Sequence, residues 1–418
     1  MTCGSATLVV VYDRGSVAPL RLAEVATELD ISLVFVLPQS AHAVAMRPVL
    51  ELLGKVIDTH GRTFADLTRE LTRAQPSGIV TFSETQLGFT AQLASALGLR
   101  HHDPKHIPAI TRKSEQRRAL QEAGVESVRF AVVSRVHELE HAVDVVGLPL
   151  IVKPVVGVAS RNTFAVRSVE ECRNCVTSLL GHSTGAGHSA EQEVILEEFL
   201  AGRKCSWRWG DYMAVDCIAT DNVVHPIYAT GKFALAAPFR ERGCYIPPHE
   251  NADEVDEIKA LAARAVSAVN IRSGIADVEI KLTPTGPRVI EVNGRLGGWV
   301  DDVAIRSGAT SPALIAVKAA LNIPIPLEDV KTASRIAFHY LVIPPVTASR
   351  VRSIDEAGHL RSIKNVERVS VLASTGMDVS PARGTNSSVA ELIGSADSYA
   401  DLQRTVDAIE GMSWITYE

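Results

Sequence analysis

The feature that most constrains this chain is a pair of short alternating runs, Val278-Glu279-Ile280-Lys281-Leu282 and Arg288-Val289-Ile290-Glu291-Val292-Asn293, joined through Pro284-Thr285-Gly286-Pro287. Period-two alternation on both sides of a proline–glycine turn predicts a β-hairpin. Glu279 and Glu291, 12 residues apart, then lie side by side across the pair. Asn293 and Arg295 follow at alternating positions on the Glu291 face, and Gly297 and Gly298 remove side-chain bulk beyond them. Two carboxylates and an amide carbonyl suit a hard cation, and the guanidinium beside them suits an oxyanion. The plainer alternative is a solvated hairpin with a salt bridge. Four such groups on one face are costly to assemble without a ligand, which favours a site.

At 418 residues the chain is long enough for several domains and a large core, and 46% hydrophobic residues place it among soluble globular proteins. The net charge of −6 and the lack of a Lys/Arg cluster argue against nucleic acid or an anionic membrane as partner. The start, Met1 to Gly15, has no basic region and too short an apolar run for a secretory signal, and no uncharged apolar stretch is long enough to span a bilayer. Six scattered cysteines form no disulfide framework, and Cys172-x-x-Cys175 lacks the second pair that a zinc site needs. A cytoplasmic location is expected.

Strands at Thr7–Val11, Ser32–Leu37 and 78–82 alternate with helical patterns at 20–29 and 89–97, which predicts a parallel sheet covered on both faces. Ligands of such sheets lie outside the carboxyl ends of the strands, where Asp13 and Ser83-Glu84 fall. Loop capping is the simpler role for Asp13. The pair His101-His102 before Asp103-Pro104 reads as an exposed turn. Thr111-Arg112-Lys113-Ser114 opens a helix with Thr111 as candidate cap; cations there oppose the helix dipole unless an anion is present, which singles out Lys113.

Lys153 ends an apolar strand, so its ammonium needs a partner. The small-residue turn from Gly157 to Asn162 follows, and its backbone amides with Ser160 can hold phosphate oxygens. Gly181 to His188 reads as a hinge. A strand, Val194 to Leu200, precedes a hairpin turning at Asp221-Asn222, an irregular loop at 237–248, an amphipathic helix at 254–269 and a helix at 312–321. After Ile323-Pro324-Ile325-Pro326 a small α+β module is expected to pack against the site and partly wall it off.

The ordered series is Lys113, Lys153, the Gly157–Asn162 turn, Glu197-Glu198-Phe199-Leu200, then E-x(11)-E-V-N-G-R-L-G-G from Glu279. It resembles the ATP-grasp superfamily of carboxylate–amine ligases, and within it most resembles bacterial L-amino acid ligases, which make dipeptides. The resemblance is strong from about residue 80 to 310. It implies an α/β chain with α+β parts: a parallel-sheet amino-terminal domain over 1–105, an ATP-grasp region over 106–325 with its hinge near 181–190, and the module at 326–418.

The resemblance also implies roles. Lys113 and Lys153 would bind ATP phosphates, with Gly157, Ser160 and Asn162 in a loop closing over the γ-phosphate. Glu197, Glu198, Phe199 and Leu200 would line the adenine pocket. Glu279, Glu291 and Asn293 would hold two Mg²⁺ ions, for which Mn²⁺ can substitute. Arg295, Lys153 and Ser160 form the implied catalytic set, and Glu84, Cys244, Arg295, Gly298 and Trp299 the implied substrate contacts. Small carboxylate and amine substrates are the implied partners, and a homodimer is the family's common state. A carboxylate is a poor electrophile, and phosphoryl transfer from ATP converts it to an acyl phosphate that an amine can attack. The chain departs from the pattern in four places. Lys204 stands where an acid usually meets the ribose, Cys244 where a histidine helps place the substrate, Asp277 where a histidine is frequent, and Gly294 where proline is commoner. A cysteine hydrogen-bonds too weakly to replace that histidine, so a different substrate pair is expected. The competing expectations are a bicarbonate- or purine-pathway type of ATP-grasp ligase, loading of a carrier protein or natural-product intermediate, and a non-catalytic nucleotide binder.

Overall fold

The computed structural model describes residues 6–181, 190–355 and 357–418. The glycine-rich stretch expected as a hinge lies, beyond Gly181, outside the described residues. The amino-terminal part is a four-stranded parallel sheet in the order Lys55–Asp58, Ser32–Leu37, Thr7–Val11, Gly78–Val80. Leu8 and Val10 share one core with Leu22 and Val25 of the helix Pro19–Glu28. Val9 and Val11 share another with Leu67, Leu71 and Leu93 from the helices Phe64–Arg73 and Leu87–Leu97. Parallel strands need this two-sided cover because their crossovers lay helices on both faces. Asp13 accepts from Ser40 Oγ at 2.7 Å and Gln86 Nε2 at 3.1 Å, so it ties loops together, in keeping with its simpler reading.

A second four-stranded sheet, antiparallel, runs Phe130–Val133, Val194–Glu198, Leu150–Pro154, Phe164–Val166. The helices Leu139–Val146 and Val169–Gly181 bury Leu139, Val143, Cys172 and Val176 with it. The largest sheet has eight antiparallel strands, in the order Gly286–Asn293, Gly274–Thr283, Trp209–Thr220, Val223–Phe233, Gly243–Ile246, Ile336–Val342, Ala390–Ala396, Val366–Val371. The helix Ala252–Ala268 lays Ile258, Leu261, Ala262, Ala265 and Val266 against Val278, Ile280, Val289 and Val292 on one face of the sheet. Alternation then turns Asp277 and Glu279 to the other face.

One expectation is corrected here. The stretch 237–248 is not irregular throughout, since Gly243–Ile246 is an interior strand paired to Lys232 on one side and Ala337–Tyr340 on the other. Its short length and flanking prolines hid it. Of the strands after residue 326, Ile336–Val342, Val366–Val371 and Ala390–Ala396 prolong the large sheet, while Val351–Ile354 and Ile415–Tyr417 pair as a separate two-stranded ribbon, and the helix Tyr399–Glu410 buries Leu402, Val406 and Ile409 in a core shared with Trp209, Phe233 and Tyr245. Two helices were also missed: Ala41–Leu53, whose pattern Pro48 interrupts, and Val300–Ser307.

The hairpin contains a bulge that decides the site. From the turn, Lys281 pairs Arg288 and Ile280 pairs Val289, so regular continuation would set Glu279 opposite Ile290. The register shifts by one residue there, and Glu279 instead faces Glu291, Val278 faces Val292 and Asp277 faces Asn293. Because side chains alternate, a slip of one residue moves a whole set to the other face; the bulge therefore places both Glu291 and Asn293 on the acidic face while Val289 and Val292 stay in the core.

The amino-terminal sheet meets the rest of the chain at Gly78, where a Cβ would lie 2.5 Å from the carbonyl oxygen of Ala320 at the end of the helix Pro312–Ala320. Backbone on both sides leaves little room to relax. Gly78→Ala is expected to cost about 1–3 kcal/mol, read as a lowered melting temperature in thermal unfolding.

Candidate active site

Lys113 is the first residue of the helix Lys113–Glu122; Arg112 occupies the cap, and Thr111 instead ends the preceding short helix, donating to Ile107 O. The Lys113 backbone N–H reaches Val155 O at 3.0 Å, while its ammonium donates to Glu291 Oε1 at 2.8 Å and to Gly157 O at 3.1 Å. Glu291 is thus the anion that a cation at this helix start requires. One side chain joins the helix, the small-residue turn and the acidic hairpin. Burial works against the Glu291 charge, but Lys113 and Lys153 outweigh it and lower its pKa.

Lys153 is buried on its strand, and its ammonium lies 2.8 Å from Glu197 Oε2. Arg117 grips the same carboxylate with Nε on Oε1 and Nη2 on Oε2, both at 3.0 Å. Burial alone would raise the Glu197 pKa; Arg117 and Lys153 reverse it and hold the carboxyl at about 2. Burial, with Arg117 nearby, lowers the Lys153 ammonium. Both Glu197 oxygens are therefore engaged, and the half-buried Glu198 at this strand end accepts from Arg129. Phe199 and Leu200 follow it, also half-buried, and Lys204 is exposed.

Sequence reading missed Gln116, Arg117 and Glu126, which line the outer edge of the hairpin. Gln116 both donates to Val292 O at 2.7 Å and accepts from Val292 N at 2.8 Å. Arg117 donates to Val289 O and Ile290 O, and Glu126 accepts from Val289 N. An edge strand exposes unpaired backbone groups, and these side chains satisfy them at the bulge. The available signal was a run of polar residues in a helix with no obvious apolar face.

Arg295 Nε lies 3.1 Å from Glu84 Oε2 and its Nη1 3.5 Å from Asp277 Oδ2, so the predicted guanidinium and the predicted acid of the amino-terminal domain do meet. Asn293 Nδ2 donates to Asp277 Oδ2 at 3.3 Å. Opposite Asp277 on the next strand stands Asp216, fully buried, with Oδ1 accepting from Gly297 N at 2.8 Å. A Cβ on Gly297 would lie 3.2 Å from Asp216 and 3.3 Å from Asp277, so the chain after Arg295 passes close over both acids. Gly294 has a similar cause, since a Cβ there would lie 2.5 Å from Ile110 Cγ2 and 3.1 Å from His102 Nε2. His102 is buried and hydrogen-bonds Gly294 O at 2.8 Å, which corrects the reading of the histidine pair as an exposed turn.

Trp299 takes a left-handed backbone conformation at φ 61°, stacks on His339 at 4.2 Å between ring centroids, and donates from Nε1 to Glu391 at 3.2 Å. The carboxy-terminal strands thereby fix this wall. Gly298 beside it faces open space. Cys244 lies inside the sheet with no exposed surface, between Lys232 and His339 in register, and burial pushes its thiol up to about 12. A fully covered thiol is a packing residue in this conformation. Lys232, also buried, pairs with Glu241 at 2.5 Å. Ser160 is exposed on its loop.

Among the described residues no three His, Cys, Asp or Glu side chains form a complete metal cage. Glu279, Glu291 and the Asn293 carbonyl still fit Mg²⁺, which characteristically takes one or two carboxylates and completes its shell with substrate phosphates and water. The surplus of negative charge supports this, because burial, with Asp277 and Glu291 beside it, pushes the Glu279 carboxyl up to about 7.

Comparison with known proteins gives this geometry a class. Residues 146–302 match the ATP-grasp domain family, and the chain has the ATP-grasp fold behind an amino-terminal parallel sheet. It is similar to alanine–anticapsin ligase of Bacillus subtilis, at 26% identity over 230 residues, 53% of this chain and 48% of that one. The matched region spans about half the length of the curated relatives. Among solved structures it is similar to an L-amino acid ligase from Bacillus licheniformis, with a TM-score of 0.78, 21% identity and complete coverage of both chains. It also resembles the biotin carboxylase domain of Hydrogenobacter thermophilus 2-oxoglutarate carboxylase, bound to MgADP, ADP and bicarbonate, with a TM-score of 0.68, 14% identity and 98% and 91% coverage. No described helix is long and apolar enough to cross a membrane.

The Glu197 pair has a pH signature. Its carboxyl sits at about 2 in the folded chain, against about 4.3 in an unfolded one. The stabilisation, on the order of 3 kcal/mol, is complete above the unfolded value and fades as pH falls towards 2. Acid titration followed by denaturant unfolding is expected to show stability falling through this window, and Glu197→Gln to remove part of that slope.

Proposed function

We propose that this protein is an ATP- and Mg²⁺-dependent ligase that joins a small carboxylic acid, an amino acid, to an amine, releasing ADP and phosphate. The observation that carries the reading is the convergence of Lys113, the facing pair Glu279 and Glu291, and Arg295 with Glu84 at one end of the bulged hairpin. Such a site supplies what phosphoryl transfer demands, positioning and neutralisation of charge, without a covalent nucleophile.

In this reading Lys113 and Lys153 exchange their carboxylate partners for phosphate oxygens. Mg²⁺ held by Glu279, Glu291 and Asn293 supplies charge neutralisation at the phosphates. The substrate carboxylate attacks the γ-phosphorus, ADP leaves, and an acyl phosphate results. Arg295 faces the carbonyl oxygen as the amine adds and the carbon becomes tetrahedral, and phosphate then departs. Glu84, held at Arg295, is placed to meet the incoming ammonium. The loop Gly157–Asn162 covers the phosphates, because an acyl phosphate exposed to water hydrolyses. Glu198, Phe199 and Leu200 border the adenine, and Gly298 with Trp299 forms the wall that selects the substrate.

The likeness to alanine–anticapsin ligase and to an L-amino acid ligase supports amino acids as substrates. The likeness to a bicarbonate-bound carboxylase domain supports a second reading, in which the acid is bicarbonate. Incubation with ATP, Mg²⁺ and amino acids singly and in pairs, with ADP release and product masses as readouts, separates the two. ADP release with new amide masses is expected; release stimulated by bicarbonate alone would sink the amino-acid reading. Glu291→Gln and Arg295→Ala are each expected to lower amide formation by at least about a hundredfold, with circular dichroism unchanged.

A further inference from the structure

The small-residue loop Gly157–Asn162 does not stand free over the site. Ala159 O accepts from Thr385 N at 3.0 Å, and Asn162 N donates to Ala382 O at 3.3 Å. Both partners belong to the turn Pro381–Ser387, which precedes the strand Ala390–Ala396 of the large sheet. At the contact sits Gly384, at φ 60° and ψ −141°. A Cβ there would lie 2.1 Å from Ala159 O and 2.8 Å from Arg161 N. Only glycine permits both that backbone conformation and that approach. On the loop side Ala159, Ser160 and Asn162 all have positive φ, between 53° and 57°. Non-glycine residues in that region cost about 1 kcal/mol or more each and persist only where their surroundings over-determine them, as the docked turn does here.

The same turn also holds the loop that precedes the strand Gly243–Ile246. Thr385 Oγ1 accepts from Glu241 N at 3.1 Å, and Arg240 Nη1 lies 3.4 Å from Ser387 Oγ. Glu241 in turn pairs with the buried Lys232. Thr385 therefore bonds to the Gly157–Asn162 loop through its backbone and to the loop carrying Glu241 through its side chain.

We infer that Pro381–Ser387 is the seat on which the phosphate loop closes, and that through Thr385 it couples closure over the nucleotide to the loop carrying Glu241. Gly384 and Thr385 are positioning residues, and the inference rests on the reading of residues 157–162 as the cover of the γ-phosphate. Loss of the seat leaves phosphoryl transfer possible but admits water to the acyl phosphate, so that ATP is spent without an amide being formed.

Hydrogen exchange on the wild-type chain with Mg²⁺ and the β,γ-imido analogue of ATP tests the seat directly. The amides of Asn162 and Thr385 are expected to be protected together, and Gly384→Ala to accelerate both at least tenfold while distant peptides are unchanged. In turnover with the substrates found above, Gly384→Ala and Thr385→Val are expected to raise ADP released per amide formed at least fivefold, and Thr385→Ser to restore the ratio. A wild-type loop that exchanges as an open segment with the analogue bound would overturn the inference, even if neither variant folds. So would Gly384→Ala with unchanged exchange. A protected pair of amides in a protein that releases ADP with no acid would instead count against the ligase reading and leave the seat standing.

Discussion

The interaction on which the site depends is the Lys113 ammonium held between Glu291 and Gly157 O. A lysine at a helix start is electrostatically misplaced until an anion approaches, and a buried carboxylate is equally misplaced without a cation. Pairing resolves both problems and fixes three pieces of chain relative to one another. Arg117, Glu197 and Lys153 repeat the device on the smaller antiparallel sheet, with a bidentate grip that is stronger and more directional than a point contact. Such pairs are poor evidence for stability in themselves, because desolvation offsets much of the attraction.

The long sheet joins distant parts of the chain. Its first strands carry the acids, and its last strands, from the end of the chain, carry His339 and Glu391 that lock Trp299. Three carboxy-terminal strands thus prolong the sheet that bears Glu279 and Glu291, and the turn leading into one of them meets the Gly157–Asn162 loop as well.

Much of this was legible from residue pattern. The alternating runs around Glu279 and Glu291 specified a hairpin, and the strand–helix alternation before residue 100 specified a parallel sheet. Lys113 and Lys153 stood out because each charge lacked a local excuse. Arg117 and Gln116 did not stand out, since a polar helix start looks like a solvated one until the edge strand it satisfies is present. Cys244 was read on a loop because four strand residues between prolines carry no period, and its burial depends on neighbours more than 90 residues away in sequence.

The sequence alone determined which chemistry was available: two carboxylates, an amide, a guanidinium and two lysines, in an order that local alternation and turn residues place on strands and at a helix start. Tertiary structure decided which of them meet. The turn's own register would have set Glu279 against Ile290, and a single bulged residue, held by Gln116 and Arg117 of a distant helix and by Glu126 just beyond its end, sets it against Glu291 instead. Side chains alternate with a period of two, so that one residue is the difference between a carboxylate in the site and one directed at the core.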